Sequence, residues 1–173
     1  PEVVAIRRLS DVEKVEGLME NASKAVVIGG GVLGLEAAWE LKKAGLDVQV
    51  LEAAPVLMGR QLDAGSAEIL KETASERGIQ IHTGVTVEAI EGTDHVSGVR
   101  LADGKVIPAE VVIISAGVRA NTSIAQDIGL EIGRAVKVNS RMETSAAGIY
   151  ACGDCAEYEG ANYAIWPEAV EQG

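Results

Sequence analysis

The sequence predicts an α/β fold with a central parallel sheet and a separate antiparallel β-meander, on three observations. Ala25-Val26-Val27-Ile28 is an apolar run long enough for one buried strand. A glycine-rich turn, a helical pattern to Lys43 and a second strand at Asp47–Leu51 follow it, the order of a βαβ unit. Val111-Val112-Ile113-Ile114, leading to Ser115, is unbroken by polar residues, as a parallel strand buried on both faces requires. Between them, from Val85 to Pro108, the pattern changes to short strands separated by turn residues.

Taken in order, Val3–Ile6 reads as a strand or an arm, and Ser10-Asp11 is placed to cap a helix running through Val12, Val15 and Leu18. The first strand, helix and second strand occupy Lys24 to Glu52, with Ala44-Gly45 as the helix stop. Asp63 is a good N-cap for a helix with Ala67, Leu70 and Ala74 on one face, closed by Gly78. Ile79–His82 is a third strand. Its His82 reads as an exposed side chain at a strand end rather than a ligand or base. Val85–Glu91, His95–Leu101 and Lys105–Pro108 form the meander, with turns at Gly92-Thr93-Asp94 and Asp103-Gly104. Beyond it, Thr122–Gly129 is a short helix with Ile124, Ala125 and Ile128 apolar. Val136–Val138 and Gly148–Ala151 are short strands, and a helix begins at Trp166-Pro167. By pattern alone Trp166 reads as core.

The glycines carry the chemistry. Gly29, Gly31 and Gly34 give G-x-G-x-x-G between a strand and a helix, and Glu52 ends the next strand 18 positions after Gly34. That is the dinucleotide-binding fingerprint in its confirming context. Gly29 allows the tight turn, Gly31 lets a pyrophosphate approach the backbone, and Gly34 lets the helix pack on the strand. The N–H groups and dipole of the helix then face the phosphates. Glu52 can accept hydrogen bonds from ribose hydroxyls and repels a 2′-phosphate. No Arg or Lys lies between Glu52 and Gly59, so NAD(H) is expected over NADP(H). Gly117, just past the last sheet strand, leaves room for a ligand at the carboxyl end of the sheet, though it also serves as an ordinary turn glycine.

Composition narrows the rest. Of 173 residues, 47% are hydrophobic and none is Phe, so the core is aliphatic. Fifteen basic against 26 acidic residues leave a net charge of −11, which argues against a nucleic-acid surface and weakens adhesion to anionic lipid. No apolar run reaches the ~20 residues of a membrane span. Two cysteines, without a disulfide framework or a signal peptide, fit a cytoplasmic setting. Cys152-Gly153-Asp154-Cys155 invites a thiol–disulfide reading or half of a zinc site. With no second Cys pair and no His at ligand spacing, no metal is expected and the cysteines read as small structural residues.

The chain resembles the FAD-dependent pyridine nucleotide–disulfide oxidoreductases. The resemblance is nearest to the NADH-dependent rubredoxin/ferredoxin reductases, NADH oxidases and the flavin half of the nitrite reductase large subunit. It rests on Gly29-Gly30-Gly31-Val32-Leu33-Gly34-Leu35-Glu36, Arg60-Gln61-Leu62-Asp63, Ser115-Ala116-Gly117-Val118-Arg119-Ala120-Asn121, Ile149-Tyr150-Ala151-Cys152-Gly153-Asp154, Ile165-Trp166-Pro167 and Glu171-Gln172-Gly173. It implies a connecting segment (1–22), a Rossmann-like NAD-binding domain (23–117) and a returning, partial FAD-domain segment (118–173). It also implies hydride transfer from NADH to FAD, then electrons to a redox protein or small acceptor.

By the same resemblance, Val32, Leu33 and Glu36 border the nicotinamide nucleotide, with Glu36 in the helix's first turn. Gly153-Asp154 binds the ribityl or phosphate part of FAD, and the helix start at Trp166 faces reduced flavin. Relatives often carry Tyr where Val32 stands, so the glutathione-type disulfide reductases are disfavoured. The single glycine fingerprint implies a piece of a longer enzyme, silent and colourless alone, its tail loosely packed or covered by a second copy. The alternatives are a thiol–disulfide enzyme using Cys152 and Cys155 and a stand-alone NAD-sensing module. No residue stands out as catalytic, and the electron acceptor is not legible.

Overall fold

The computed structural model describes residues 2–173. The chain divides into two compact units, one ending at Gly117 and the other Val118–Gly173.

The first unit is built on five parallel strands in the order β1-β8-β2-β3-β4. Here β1 is Val3–Val4, β2 Lys24–Ile28, β3 Asp47–Glu52, β4 Ile79–Thr83 and β8 Val111–Ile114. The helices are α1 (Leu9–Met19), α2 (Val32–Lys43) and α3 (Ala64–Glu76), and a three-stranded antiparallel sheet comprises β5 (Val87–Glu91), β6 (Gly98–Leu101) and β7 (Val106–Pro108). Alternation along the central strands assigns the two faces. Ala25, Val27, Val48, Val50, Val111 and Ile113 join Val15, Ala38, Leu41 and Ala74 of the helices in one cluster. Val26, Leu51 and Val112 join Val99, Leu101 and Ile107 of the meander in the other. The central strands are thus apolar on both faces, and the unbroken runs in the sequence reflect this sandwiching between helices and meander.

Local signals account for the element ends. Asp63 accepts the Ser66 N–H at 2.8 Å and starts α3 as expected. Helix α1 begins at Leu9, earlier than Ser10-Asp11 implied. Asp11 acts from inside the first turn, accepting the N–H groups of Arg7 (2.9 Å) and Arg8 (2.8 Å). Val3–Val4 takes the strand option, and Val4 and Val15 lie in the main core, so the first 22 residues supply both a strand and a helix to this unit. His82 is half-buried rather than exposed: its ring pairs with the Gln49 side chain at 2.8 Å, and burial pulls its pKa down.

The second unit contains α4 (Ser123–Asp127), β9 (Val136–Val138), a 3-10 turn at Gly153–Cys155, β10 (Ala156–Tyr158) and α5 (Trp166–Gln172). The expected strand at Gly148–Ala151 does not form. Gly148 sits at φ +79 and only Tyr150 makes an isolated bridge, to Glu143. The edge of β9 is taken instead by β10, which pairs with it in parallel and buries Ala156. The buried Glu157 accepts the N–H groups of Arg134 and Ala135, a polar anchor that the sequence did not reveal. Trp166 is 82% exposed, not core, because it occupies the first position of a helix only seven residues long. Among the described residues no helix is long and apolar enough to cross a membrane.

Two tests follow from this packing. Leu41, 2% exposed between α2 and the sheet, should cost about 2–5 kcal/mol when replaced by Ala, read by urea unfolding. Glu110 accepts Ser23 N–H (2.6 Å), Ser23 Oγ–H (2.9 Å) and Lys24 N–H (3.0 Å), and these bonds hold its carboxyl below the usual range. A carboxylate with a depressed folded pKa stabilises above its unfolded pKa and loses that contribution as pH falls through the folded one. Glu110→Gln should therefore lower the melting temperature at neutral pH and flatten the decline on the acid side of the ordinary carboxylate range.

Candidate functional site

Because the central strands are parallel and in register, Ile28, Leu51 and Ile114 end together. The residues after them therefore converge at one edge. Gly29 N–H bonds Leu51 O (2.8 Å), and Ser115 N–H bonds Ile28 O (2.8 Å). Gly29 takes φ +116, which other residues rarely adopt. A Cβ there would run into the Ser115 carbonyl, and a Cβ on Gly34 would strike the Gly29 carbonyl. Gly31 differs: an added Cβ meets nothing within 4 Å. The turn is thus closed on the protein side at Gly29 and Gly34 and open at Gly31.

Helix α2 starts at this opening. Its N-cap is Gly31, with no side-chain cap, and its first turn holds no acid. The first N–H groups of a helix have no partner within it, and a positive dipole end adds to them, so the edge offers donors to an anion. Lys42 and Lys43 complement the opposite end. Val32 and Leu33 are exposed at the opening (44% and 67%). Glu36 is exposed and, because the helix begins at Val32, belongs to its second turn, not its first. Gly117 is exposed at φ +89 with open space around its Cα.

Glu52 is half-buried, and backbone groups already use its carboxylate. Oε2 accepts Gly30 N–H at 2.6 Å and Oε1 accepts Ala54 N–H at 2.7 Å. Gly30 is itself buried, and a Cβ on it would lie 2.6 Å from Leu57 Cδ2 and 3.0 Å from Glu52 Cβ. Its carbonyl accepts Met58 N–H at 3.0 Å. Leu57 and Met58 have no signature in the sequence, and Gly30 appears there only as a member of the glycine motif. The run of three consecutive glycines, with Gly30 in the middle, is the one available sign.

Gly153, Asp154 and Trp166 belong to the second unit. Gly153, at φ +69, donates its N–H to Gln172 Oε1 at 2.7 Å, tying the turn to α5. Asp154 is exposed, and its side chain makes no hydrogen bond among the described residues. Cys152 is exposed and Cys155 half-buried, both as free thiols, with Cys155 Sγ 3.2 Å from Cys152 O.

Comparison with known proteins identifies the family. The pyridine nucleotide-disulphide oxidoreductase family model matches residues 2–173, and the chain belongs to that family. Nitrite reductase [NAD(P)H] of Bacillus subtilis is 39% identical over 170 residues, 98% of this chain and 21% of that protein. The NADH oxidase of Methanocaldococcus jannaschii is 40% identical over 158 residues, 90% of this chain and 35% of the oxidase. Among solved structures, the ferredoxin reductase for the CYP199A2 system from Rhodopseudomonas palustris superposes with a TM-score of 0.87. It is 36% identical over 92% of this chain and 40% of the reductase. The chain therefore spans between about a fifth and two fifths of these relatives.

The glycines should separate by substitution. Gly31→Ala has both the space and an ordinary φ of −82, so it should cost no more than about 1 kcal/mol, the N-cap preference lost. Gly34→Ala must push α2 off the Gly29 carbonyl and should cost about 1–3 kcal/mol, as overpacking does. Thermal melts of the two variants check this ordering.

Proposed function

We propose that this chain is the NAD(H)-binding part of an FAD-dependent NADH:acceptor oxidoreductase. The observation that carries the reading is the opening at Gly31, where an added Cβ meets nothing within 4 Å and the start of α2 has no side-chain cap. The N–H donors and positive dipole end of a helix start suit a pyrophosphate in charge. In this reading residues 23–117 form the NAD-binding domain. Gly29, Gly31 and Gly34 shape the pyrophosphate site, Val32, Leu33 and Glu36 border the nicotinamide end, and Glu52 takes the adenine ribose. Gly117 leaves room at the sheet edge. Residues 118–173 form part of an FAD-binding domain, in which the exposed Asp154 carboxylate beside Gly153 meets flavin hydroxyls and the α5 start at Trp166 lies near the ring. When bound, NADH supplies a hydride and FAD accepts it. The residues of this chain bind, orient and exclude water.

The names of the relatives support the electron route, since they include an NADH oxidase and a ferredoxin reductase. The acceptor proposed here is accordingly a small redox protein or a small oxidant. The cytoplasm suits two free thiols. Cys152 and Cys155 serve structure in this reading: one thiol packs against the turn that they flank.

Calorimetry should show NADH binding more tightly than NADPH, and Gly31→Ala should weaken NADH at least tenfold while leaving the fold intact. Glu52→Ala should narrow the NADH–NADPH difference by about 1–3 kcal/mol, a charged hydrogen bond lost. Tighter binding of NADPH to the unaltered chain would refute the assignment. Replacing Cys152 and Cys155 together by Ala in a flavin-loaded enzyme should leave most NADH-dependent dye reduction in place. Loss of that activity with flavin still bound would instead favour thiol chemistry.

A further inference from the structure

Three independent contacts converge on Gly30, a residue with no ligand-facing task in the fingerprint. Its N–H is held by Glu52 Oε2, its carbonyl by Met58 N–H, and its Cα by the Leu57 side chain, which is 1% exposed. The segment that supplies them is tightly wound. Met58 takes φ +48, a costly conformation for a residue with a side chain, and its carbonyl accepts the N–H groups of Gln61 (2.8 Å) and Leu62 (3.0 Å). The other oxygen of Glu52 fixes Ala54 at the base of the same segment. Strain of this kind persists only where the surroundings over-determine it, and here the Met58 carbonyl ties the segment to itself while the Met58 N–H and the Leu57 side chain meet the glycine turn.

We propose that Glu52, Leu57 and Met58 form a clamp on Gly30 that holds the glycine turn ready for its dinucleotide. Leu57 is then a positioning residue that never touches the ligand, and Glu52 has a structural task beside any contact with ribose. The clamp rests on the dinucleotide reading above for its purpose but not for its existence. Freeing Gly30 lets the peptide planes on either side of Gly31 rotate, so the donors facing the pyrophosphate lose their alignment. A pyrophosphate is common to both nicotinamide nucleotides, so a loosened clamp weakens both by the same factor. A change at the ribose contact alone alters their ratio.

The test uses the full chain and two readouts. In the unliganded protein, amide exchange at Gly30 and Ala54 should speed up about tenfold or more in Glu52→Gln, which can satisfy only one of the two N–H groups. By calorimetry, Leu57→Ala should weaken NADH and NADPH equally, by about tenfold, with their ratio unchanged, and Leu57→Met should restore most of the affinity. Unchanged exchange at both amides in Glu52→Gln would overturn the clamp. So would wild-type affinity in a folded Leu57→Ala, or weakening confined to one nucleotide. Should Leu57→Ala not fold, exchange in Glu52→Gln decides alone. A chain that binds neither nucleotide refutes the dinucleotide reading, while the exchange result still judges the clamp.

Discussion

The near-contact between the start of α2 and the backbone of Gly29 is the constraint on which the first unit depends. No side chain fits between Gly34 and the Gly29 carbonyl, or between Gly29 and the Ser115 carbonyl. Helix, turn and two strand ends are therefore locked at backbone distance, with no side chain as spacer. That closeness brings α2 down onto β2, lets Ala38 and Leu41 reach the sheet, and aims the helix axis at the strand edge. Hydrophobic burial supplies most of the driving force, but the glycines decide where the buried surfaces meet.

Much of this was legible in the sequence because it is written in local signals. The βαβ order, the Asp63 cap, the meander and the parallel strand at Val111–Ile114 each follow from periodicity or turn chemistry that a single segment carries. What was not legible depends on partners distant in sequence. The Gly148–Ala151 segment has strand-like composition, but β9 pairs with β10 instead, a competition that no local pattern records. Trp166 looks like core until the brevity of α5 leaves it uncovered. His82 looked like a free strand-end residue, yet Gln49 on the neighbouring strand claims it.

The site divides in the same way. Gly29, Gly31 and Gly34 were readable because each answers to a backbone geometry that a short spacing encodes. Gly30 was not, since its tasks come from Glu52, Leu57 and Met58, 22 to 28 positions on. Glu52 was found for its charge and position, but its use of both oxygens on backbone N–H groups is visible only in three dimensions. In the second unit Glu157 makes the same kind of bond, to Arg134 and Ala135. Carboxylates gripping backbone amides recur through the chain, at Glu2, Asp11, Glu52, Glu110 and Glu157. Part of the acidic composition therefore serves as scaffolding that holds backbone N–H groups.

The parallel register of the sheet also sorts its two edges by purpose. The loops that leave β2, β3, β4 and β8 at the carboxyl edge are engaged: Gly29 with Ser115, Gly30 with Glu52, Gly84 with Ala54. At the amino edge the link between α2 and β3 is exposed, and Gly45, at φ +95, has nothing within 4 Å of an added Cβ. The fold thus has a working end and a handling end, separated by the full length of the strands. A tether, dye or surface linkage placed beside Gly45 at the exposed Ala44, whose φ of −71 suits any side chain, would carry the domain from behind, leaving the glycine turn facing solution in a fixed orientation.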